Sequence, residues 1–433
     1  MNKLVKFITL GCKVNQYETN AMTQKFLEKG YKVIEENENQ EKPDICVINT
    51  CTVTNMSDRK SRQMLRKMKD ENQNTIIVVV GCYAQVAKQE LLENQEIDIV
   101  LGNNEKVDIV KYVEKYIEEK QKVLEIEDVM YSKEFSEFGE ITFTEKTRAV
   151  IKIQDGCDRF CSYCIIPYVR GPVKSRKLDE IKEEVEKIAK CGFKEIVLTG
   201  IQVAAFGQDT KEGTLADVVE MCAKTEGIER IRLGSVEPVI ITDEFLTRVK
   251  NTGKFCPSFH ISLQSGCDET LKRMNRRYTT EQFRKIVKIL RQAYEDVNIT
   301  TDIIVGFPGE TEEEFNKTYE FLKEIKFYKM HIFRYSPRNG TKAAIMENQI
   351  QGDIKEKRSK KLIELSNKNE EFYNKKYIRK EVEVLFEEKK DGIYIGHTQN
   401  YIIIHCDTEQ KLENEIVKVR CKESFGSYIK SEM

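Results

Sequence analysis

Along the first 120 residues, short apolar runs alternate with longer amphipathic stretches. Val5 to Leu10, Ile45 to Asn49 and Thr75 to Val80 are strand-like, while Tyr17 to Lys29, Ser57 to Lys69 and Gln85 to Glu93 have helical character. This alternation predicts an open parallel α/β sheet. Each apolar run leads into a small residue and a cysteine, as Gly11-Cys12, Thr50-Cys51 and Gly81-Cys82. Ligands gather at the carboxyl ends of strands in such sheets, so folding is expected to bring Cys12, Cys51 and Cys82 to one edge. At this level a metal site and buried core cysteines both stay open for them. Cys46, inside its strand, reads as core.

Residues 121–145 are charged, lack long apolar periodicity and read as a linker with one short strand. Six more strand candidates follow: Ala149 to Ile153, Glu195 to Thr199, Arg230 to Leu233, Ser258 to Leu263, Ile299 to Val305 and Tyr328 to Phe333. Charged helical stretches such as Leu178 to Lys190 separate them, and six βα units fall short of a full eight-unit barrel. A Lys-rich helical connector, Asp353 to Lys376, ends this part. Beyond it Val382, Val384 and Phe386 alternate with acidic residues, Lys390-Asp391-Gly392 marks a turn, and Tyr401 to His405 and Ile416 to Arg420 read as strands. A small antiparallel β barrel fits. The expected domains are 1–120, 146–375 and 376–433.

Length agrees, because 433 residues exceed the ~250–300 at which a single core stops growing. Charge changes the picture more: 71 basic and 72 acidic residues leave a net charge of -1, so a nucleic-acid surface must be local. One candidate is the stripe Arg59, Arg62, Arg66 and Lys69 on one helical face, which suits phosphates or plain solvent equally. The N-terminal apolar run is too short and interrupted for a secretory signal, and no segment approaches the ~20 apolar residues of a membrane span. A reducing cytoplasmic setting is expected, where clustered cysteines among the thirteen bind metal or do chemistry.

The densest chemistry is Gly156-Cys157-Asp158-Arg159-Phe160-Cys161-Ser162-Tyr163-Cys164, with spacing C-x3-C-x2-C directly after an apolar strand. Soft thiolates favour iron–sulfur clusters or zinc. A cubane normally takes four such ligands, so three imply that something else binds the fourth iron. A zinc knuckle would need a fourth ligand close by, and no His or Cys follows at that spacing. The spacing, with Phe160 and Tyr163, resembles the radical S-adenosylmethionine (SAM) superfamily. That resemblance implies an open (β/α)6 barrel and makes Cys157, Cys161 and Cys164 the catalytic cluster ligands. It also implies that the free iron chelates SAM and that an electron breaks the sulfonium bond to give a 5′-deoxyadenosyl radical. SAM contacts are expected at the strand ends, from Gly200, Gln202, Ser235, Glu237, Gln264 and Gly306.

Three further motifs narrow the family: Thr9 to Glu18 around Cys12, Val47 to Thr54 around Cys51, and Gly81-Cys82-Tyr83-Ala84-Gln85. They resemble the N-terminal motifs of the radical-SAM methylthiotransferases, most closely the MtaB-type enzymes, which modify N6-threonylcarbamoyladenosine at tRNA position 37. The resemblance continues through His260 to Gly266, Lys272 to Thr279 and Thr301 to Gly309, and ends in Tyr335 to Thr341. It implies a second 4Fe–4S cluster on Cys12, Cys51 and Cys82, with SAM serving as methyl donor and as radical source. The radical would remove hydrogen from adenine carbon 2, a bond offering no useful acid or leaving group. The final barrel resembles the RNA-binding TRAM domain, with Arg379, Lys380, Tyr394, His397 and Tyr401 as candidate RNA contacts.

Departures from the family pattern are Ala204-Ala205 and Arg334, both in substrate-loop detail. Within the class, isopentenyladenosine in tRNA and a ribosomal-protein aspartate are alternative substrates. Lys13-Val14-Asn15-Gln16 and Cys51-Thr52-Val53-Thr54 favour the threonylcarbamoyl subtype. From another class, a non-catalytic iron–sulfur RNA-binding regulator is the alternative. Expected partners are the anticodon loop of ANN-decoding tRNA, a reductant such as flavodoxin or ferredoxin, and a sulfur donor; the expected state is a monomer without a membrane. His260 and His331 read as satisfied core histidines with no catalytic role.

Overall fold

The apolar runs of the first 120 residues become the strands of one parallel sheet. The computed structural model describes residues 3–34, 42–52, 55–139, 141 and 147–433; Val53 and Thr54 of the second cysteine motif lie outside them. Strands Leu4–Thr9 (β1), Lys32–Ile34 (β2), Ile45–Thr50 (β3), Ile76–Gly81 (β4), Ile99–Leu101 (β5) and Val123–Glu125 (β6) run in the order β2-β1-β3-β4-β5-β6. Every residue of β3 and β4 is buried, because helices cover both faces, and the strands therefore read as continuous apolar runs. Helix Lys13–Glu28 (α1) packs on one face and helix Asn55–Glu71 (α2) on the other. Cys46 is fully buried in the second of these cores.

The segment 121–145 does more than connect. It supplies β6, and beyond it Phe138 sets its ring edge-on to Tyr17 of α1 at 6.5 Å.

The second half closes into an arc of six parallel strands: Arg148–Asp155 (β7), Glu195–Gly200 (β9), Arg230–Leu233 (β10), Ser258–Ile261 (β12), Asn298–Val305 (β13) and Lys329–Arg334 (β14). The two-residue strands Lys174–Ser175 (β8, antiparallel) and Ser235–Val236 (β11) sit beside β7 and β12. Pairing divides the arc into β10-β9-β7-β8 and β11-β12-β13-β14, joined by a parallel bridge between Ile231 and Phe255. One hydrophobic core serves both halves. Thr214, Thr279 and Thr311 start helices with capping boxes, each satisfying backbone donors that would otherwise be orphaned.

Helix Gly352–Lys375 runs beside β14 and leads to a closed five-stranded barrel: Glu381–Lys390 (β15), Ile393–Thr398 (β16), Ile403–Asp407 (β17), Ile416–Ser424 (β18) and Ile429–Glu432 (β19). It is not wholly antiparallel, since the contact between β17 and β19 is parallel. The barrel docks on β7 and β10. Arg232 Nη1 donates to Gln399 O at 2.8 Å and Arg230 Nη1 to His397 O at 3.1 Å, and Arg148 pairs with Glu387 at 3.0 Å. Among the described residues, no helix is long and apolar enough to cross a membrane.

Candidate active site

Cys12, Cys51 and Cys82 each follow one of three adjacent strands, β1, β3 and β4, so the sheet order brings them to one edge. The loops are tight. A Cβ on Gly11, whose φ is +115°, would stand 2.7 Å from Cys51 Cβ, so only glycine lets these chains approach. Asn15 ties the same two loops, its Nδ2 donating to Leu10 O at 2.7 Å and to Thr50 O at 3.0 Å. Cys12 stands at the N-cap of the 16-residue α1, where the helix dipole favours a thiolate. Desolvation by the surrounding chain nonetheless raises its pKa, with Arg170 opposing, while the residue itself stays open to solvent. Next to Cys51, the hydroxyl of Thr52 accepts a hydrogen bond from Arg338 in the far Tyr335 to Thr341 motif.

Beneath this edge lies a buried ionic cluster. Glu18 of α1 receives Lys106 Nζ at 2.6 Å, Lys152 Nζ at 3.0 Å and Arg170 Nη1 at 2.5 Å. Lys152 and Arg170 also reach Asp155, at 2.5 and 3.2 Å. Burial alone would raise the Glu18 carboxyl, but Arg170, Lys106 and Lys152 outweigh it and hold the pKa well below 4.5. Arg170 then turns to the cysteines, its Nε donating to Cys82 Sγ at 3.2 Å and its Nη2 to Asn15 Oδ1 at 3.0 Å. Three cations thus face two carboxylates directly under three thiols, a setting that suits an anionic thiolate-bound group.

The second triad lies on the loop after β7. Gly156, at φ +73°, leaves no room for a Cβ against the Pro172 carbonyl, and Cys157 N donates to Gly171 O at 3.0 Å. Phe160 takes φ +46°, held by Asn275 Nδ2 on its carbonyl at 2.9 Å. Ser162 N donates to Met274 O at 3.0 Å and Cys164 N to Cys161 O at 2.9 Å. Burial pushes the Cys157 and Cys164 thiols up to about 12, so these groups stay protonated until a metal displaces the proton. Arg276 Nη1 donates to Cys161 Sγ at 3.2 Å, as Arg170 does to Cys82. Among the described residues no three His, Cys, Asp or Glu side chains converge on a single ion position. A cubane does not require this, because its thiolates bind separate irons.

A cavity of about 630 Å³ adjoins the first triad; Cys12 lines it together with Thr199, Gly200 and Ser235 from the ends of β9 and β11. Gln202 lies behind Gly200. Its Oε1 accepts from Asp158 N at 3.3 Å, while its buried Nε2 has no partner among the described residues, an orphaned donor that a bound carboxylate can satisfy. Glu237 faces a second cavity of about 400 Å³ with Cys161, and is anchored by Arg159 at 2.6 Å and Arg276 at 3.5 Å. Gln264 and Gly306 line neither of these cavities. Gln264 pairs with β13, and the space beside Gly306 is taken by Lys355.

The RNA candidates scatter. Arg62 Nη1 donates to Tyr83 OH at 3.2 Å and Arg66 is exposed, while the side chain of Arg59 lies outside the described residues. Lys69 caps chain turns, with Thr75 O at 2.9 Å. Arg379 and Lys380 are exposed, but Tyr394 is buried in the barrel core. Tyr401 sits in the domain seam, with Arg148 and Arg232 at 5.0 and 4.7 Å from its ring centre and His397 stacked on it at 4.4 Å. Sequence reasoning missed the ionic cluster. Its one signal was Lys152 within the apolar run Ala149 to Ile153.

Residues 151–322 match the model of the radical SAM superfamily, and residues 4–102 that of the uncharacterized protein family UPF0004. The chain is 40% identical to the threonylcarbamoyladenosine tRNA methylthiotransferase MtaB of Bacillus subtilis, over 96% of its own length and 93% of that protein. It is 36% identical to the tRNA-2-methylthio-N(6)-dimethylallyladenosine synthase of Clostridium tetani, over 88% and 84%. Among solved structures, the radical SAM methyltransferase TsrM from Kitasatospora setae, with cobalamin and a 4Fe–4S cluster bound, superposes with a TM-score of 0.59 at 14% identity. The match covers 80% of this chain and 77% of that one, a likeness of fold.

Proposed function

The chain belongs to the radical-SAM tRNA methylthiotransferases, and from that membership we propose that it adds a methylthio group to carbon 2 of N6-threonylcarbamoyladenosine at tRNA position 37. Its cofactors are two 4Fe–4S clusters and SAM, which when bound supply thiolate-ligated iron to carry sulfur and a carbon radical able to break an unactivated C–H bond. Cys157, Cys161 and Cys164 would hold one cluster; Cys12, Cys51 and Cys82 the other. Arg276 and Arg170 each donate a hydrogen bond to one sulfur of their triad, and such bonds tune a cluster's potential. Gly200, Gln202 and Ser235 would border SAM, and Glu237 would hold its place through Arg159 and Arg276.

The supporting observation is the shared cavity. Cys12 lines it from one domain, while Gly200 and Ser235 line it from the other, so sulfur delivery and radical generation can face one adenine. The docked barrel reads as TRAM-like and RNA-binding, with Arg379 and Lys380 exposed, and Arg62 and Arg66 offer a second phosphate contact. The RNA would be the anticodon loop of ANN-decoding tRNA, met by a monomer that takes electrons from a flavodoxin or ferredoxin and sulfur from a separate donor.

The test uses two variants of anaerobically reconstituted protein. Replacing Cys157, Cys161 and Cys164 by Ala should abolish 5′-deoxyadenosine release; continued release refutes the first assignment. Cys12→Ala should keep SAM cleavage and lose the methylthio product in tRNA nucleoside mass spectra, and an unchanged product yield refutes the second.

A further inference from the structure

The cavity beside Cys12 continues past the strand ends into the arc of strands. Its wall there carries Arg232, His260, Asp302, Lys329 and His331 from β10, β12, β13 and β14. Parallel barrels ordinarily fill this space with branched apolar side chains. Along β14, Met330 is buried, whereas His331 and Phe333 line the cavity.

His260 is fixed, its Nδ1 2.9 Å from Thr300 Oγ1 and its Nε2 3.2 Å from Asp302 Oδ2. The His331 ring lies 5.6 Å from it at 40° and makes no hydrogen bond among the described residues. Burial, helped by His260 and Lys329 and opposed by Asp302, keeps His331 below the usual imidazole pKa. Lys329 is steadied by Glu370 at 2.8 Å. Covering this wall with hydrocarbon is costly, because the His331 ring nitrogens and the remaining lone pairs of Asp302 would lose water without gaining a partner.

We propose that Asp302, His260 and His331 form the subsite for the substituent on N6 of the target adenine, and that they select a hydrogen-bonding threonylcarbamoyl arm over an apolar one. This rests on the tRNA methylthiotransferase reading. The C2–H and C6–N6 bonds of adenine leave the ring two atoms apart and diverge. With C2 held between Cys12 and the Gly200 and Ser235 edge, an adenine whose N6 side points into the arc of strands lays its N6 arm along this wall. Beyond the N6–H that both substrates share, a threonylcarbamoyl arm brings a further urea N–H and a hydroxyl for Asp302, and a carbonyl and carboxylate for His331 and Lys329. A dimethylallyl arm brings none of these. A site built to hydrogen-bond its substrate rejects the analogue lacking those groups far more strongly than an apolar pocket discriminates by size. Relatives named for both arms match this chain, and the wall decides between them.

The experiment compares anticodon stem-loop RNAs carrying threonylcarbamoyladenosine or dimethylallyladenosine, with wild type, His331→Leu, His331→Gln and Asp302→Asn. It measures kcat/KM with the reconstituted enzyme and the dissociation constant by fluorescence anisotropy. His331→Leu should lose ~10–100-fold in kcat/KM on the threonylcarbamoyl RNA, carried by KM and matched in Kd, and His331→Gln should recover most of it. Should the Leu variant fail to assemble, as judged by cluster absorbance, Asp302→Asn carries the same expectation. Unchanged discrimination in the variants, with wild type acting on threonylcarbamoyl RNA, overturns the subsite and leaves the function standing. A wild type that modifies only the dimethylallyl RNA overturns the function itself.

Discussion

Glu18 shows how much one side chain can carry. It is fully buried, and Lys106, Lys152 and Arg170 converge on it from β5's following turn, β7 and the short helix Ile166–Arg170 after the second triad. Removing one partner from a buried ionic cluster leaves uncompensated charge and costs ~3–5 kcal/mol. Glu18→Gln should therefore lower the unfolding free energy by about that amount, read from denaturant titration of the anaerobic apoprotein at neutral pH. Its folded pKa is depressed below 4.5, so its contribution is complete above that pH and fades as pH falls, and the two proteins should converge on acidification. In the residue pattern only Lys152, inside the apolar run Ala149 to Ile153, pointed to this cluster. Asn15, Glu18, Thr19, Asn20 and Thr23 are all buried, although polar side chains on a helix ordinarily face water.

At the scale of elements, the loop after β7 depends on two glycines. Gly156 and Gly171 have φ of +73° and +74°, and a Cβ on either would overlap a carbonyl oxygen, of Pro172 and Val129 respectively. Gly156→Ala should prevent the loop from presenting its cysteines, so that iron per chain after reconstitution falls to the content of one cluster. Gly253→Ala is the control, because its φ of +69° faces open space and costs only the ~1–2 kcal/mol of left-handed backbone. The strand positions themselves were legible, since apolar runs of five to eight residues bounded by turn residues have few other solutions. Less legible was the end of β12, which stops at Ile261 where the apolar run suggested Leu263. Gln264, at φ +70°, turns the chain before it resumes pairing with β13.

For the whole molecule, the decisive feature is how the N-terminal sheet, the arc of strands and the C-terminal barrel seat on one another. Tyr401 is a natural candidate for base stacking if the barrel binds RNA, but Arg148 and Arg232 pack against its ring in the seam. Tyr401→Ala should cost ~1–2 kcal/mol of stability through lost cation–π contact. Arg379→Ala with Lys380→Ala should instead leave stability within ~0.5 kcal/mol and lower the salt dependence of tRNA binding by about two phosphate contacts. Denaturation midpoints and affinities over a salt series separate the two outcomes.

The sequence by itself determined the main alternation of strands and helices and the positions of the six cysteines, because these depend on local periodicity and on spacing within short loops, and the radical chemistry came with the family resemblance that these motifs carry. Only the tertiary structure decided what surrounds the triads. Arg170 ends the short helix Ile166–Arg170 that follows one triad and donates to a cysteine of the other, and the cavity beside Cys12 takes its polar wall from β10, β12, β13 and β14. Such neighbours share no sequence period. Their placement follows from sheet order and from the burial of charges that stay stable only when partners from distant segments meet.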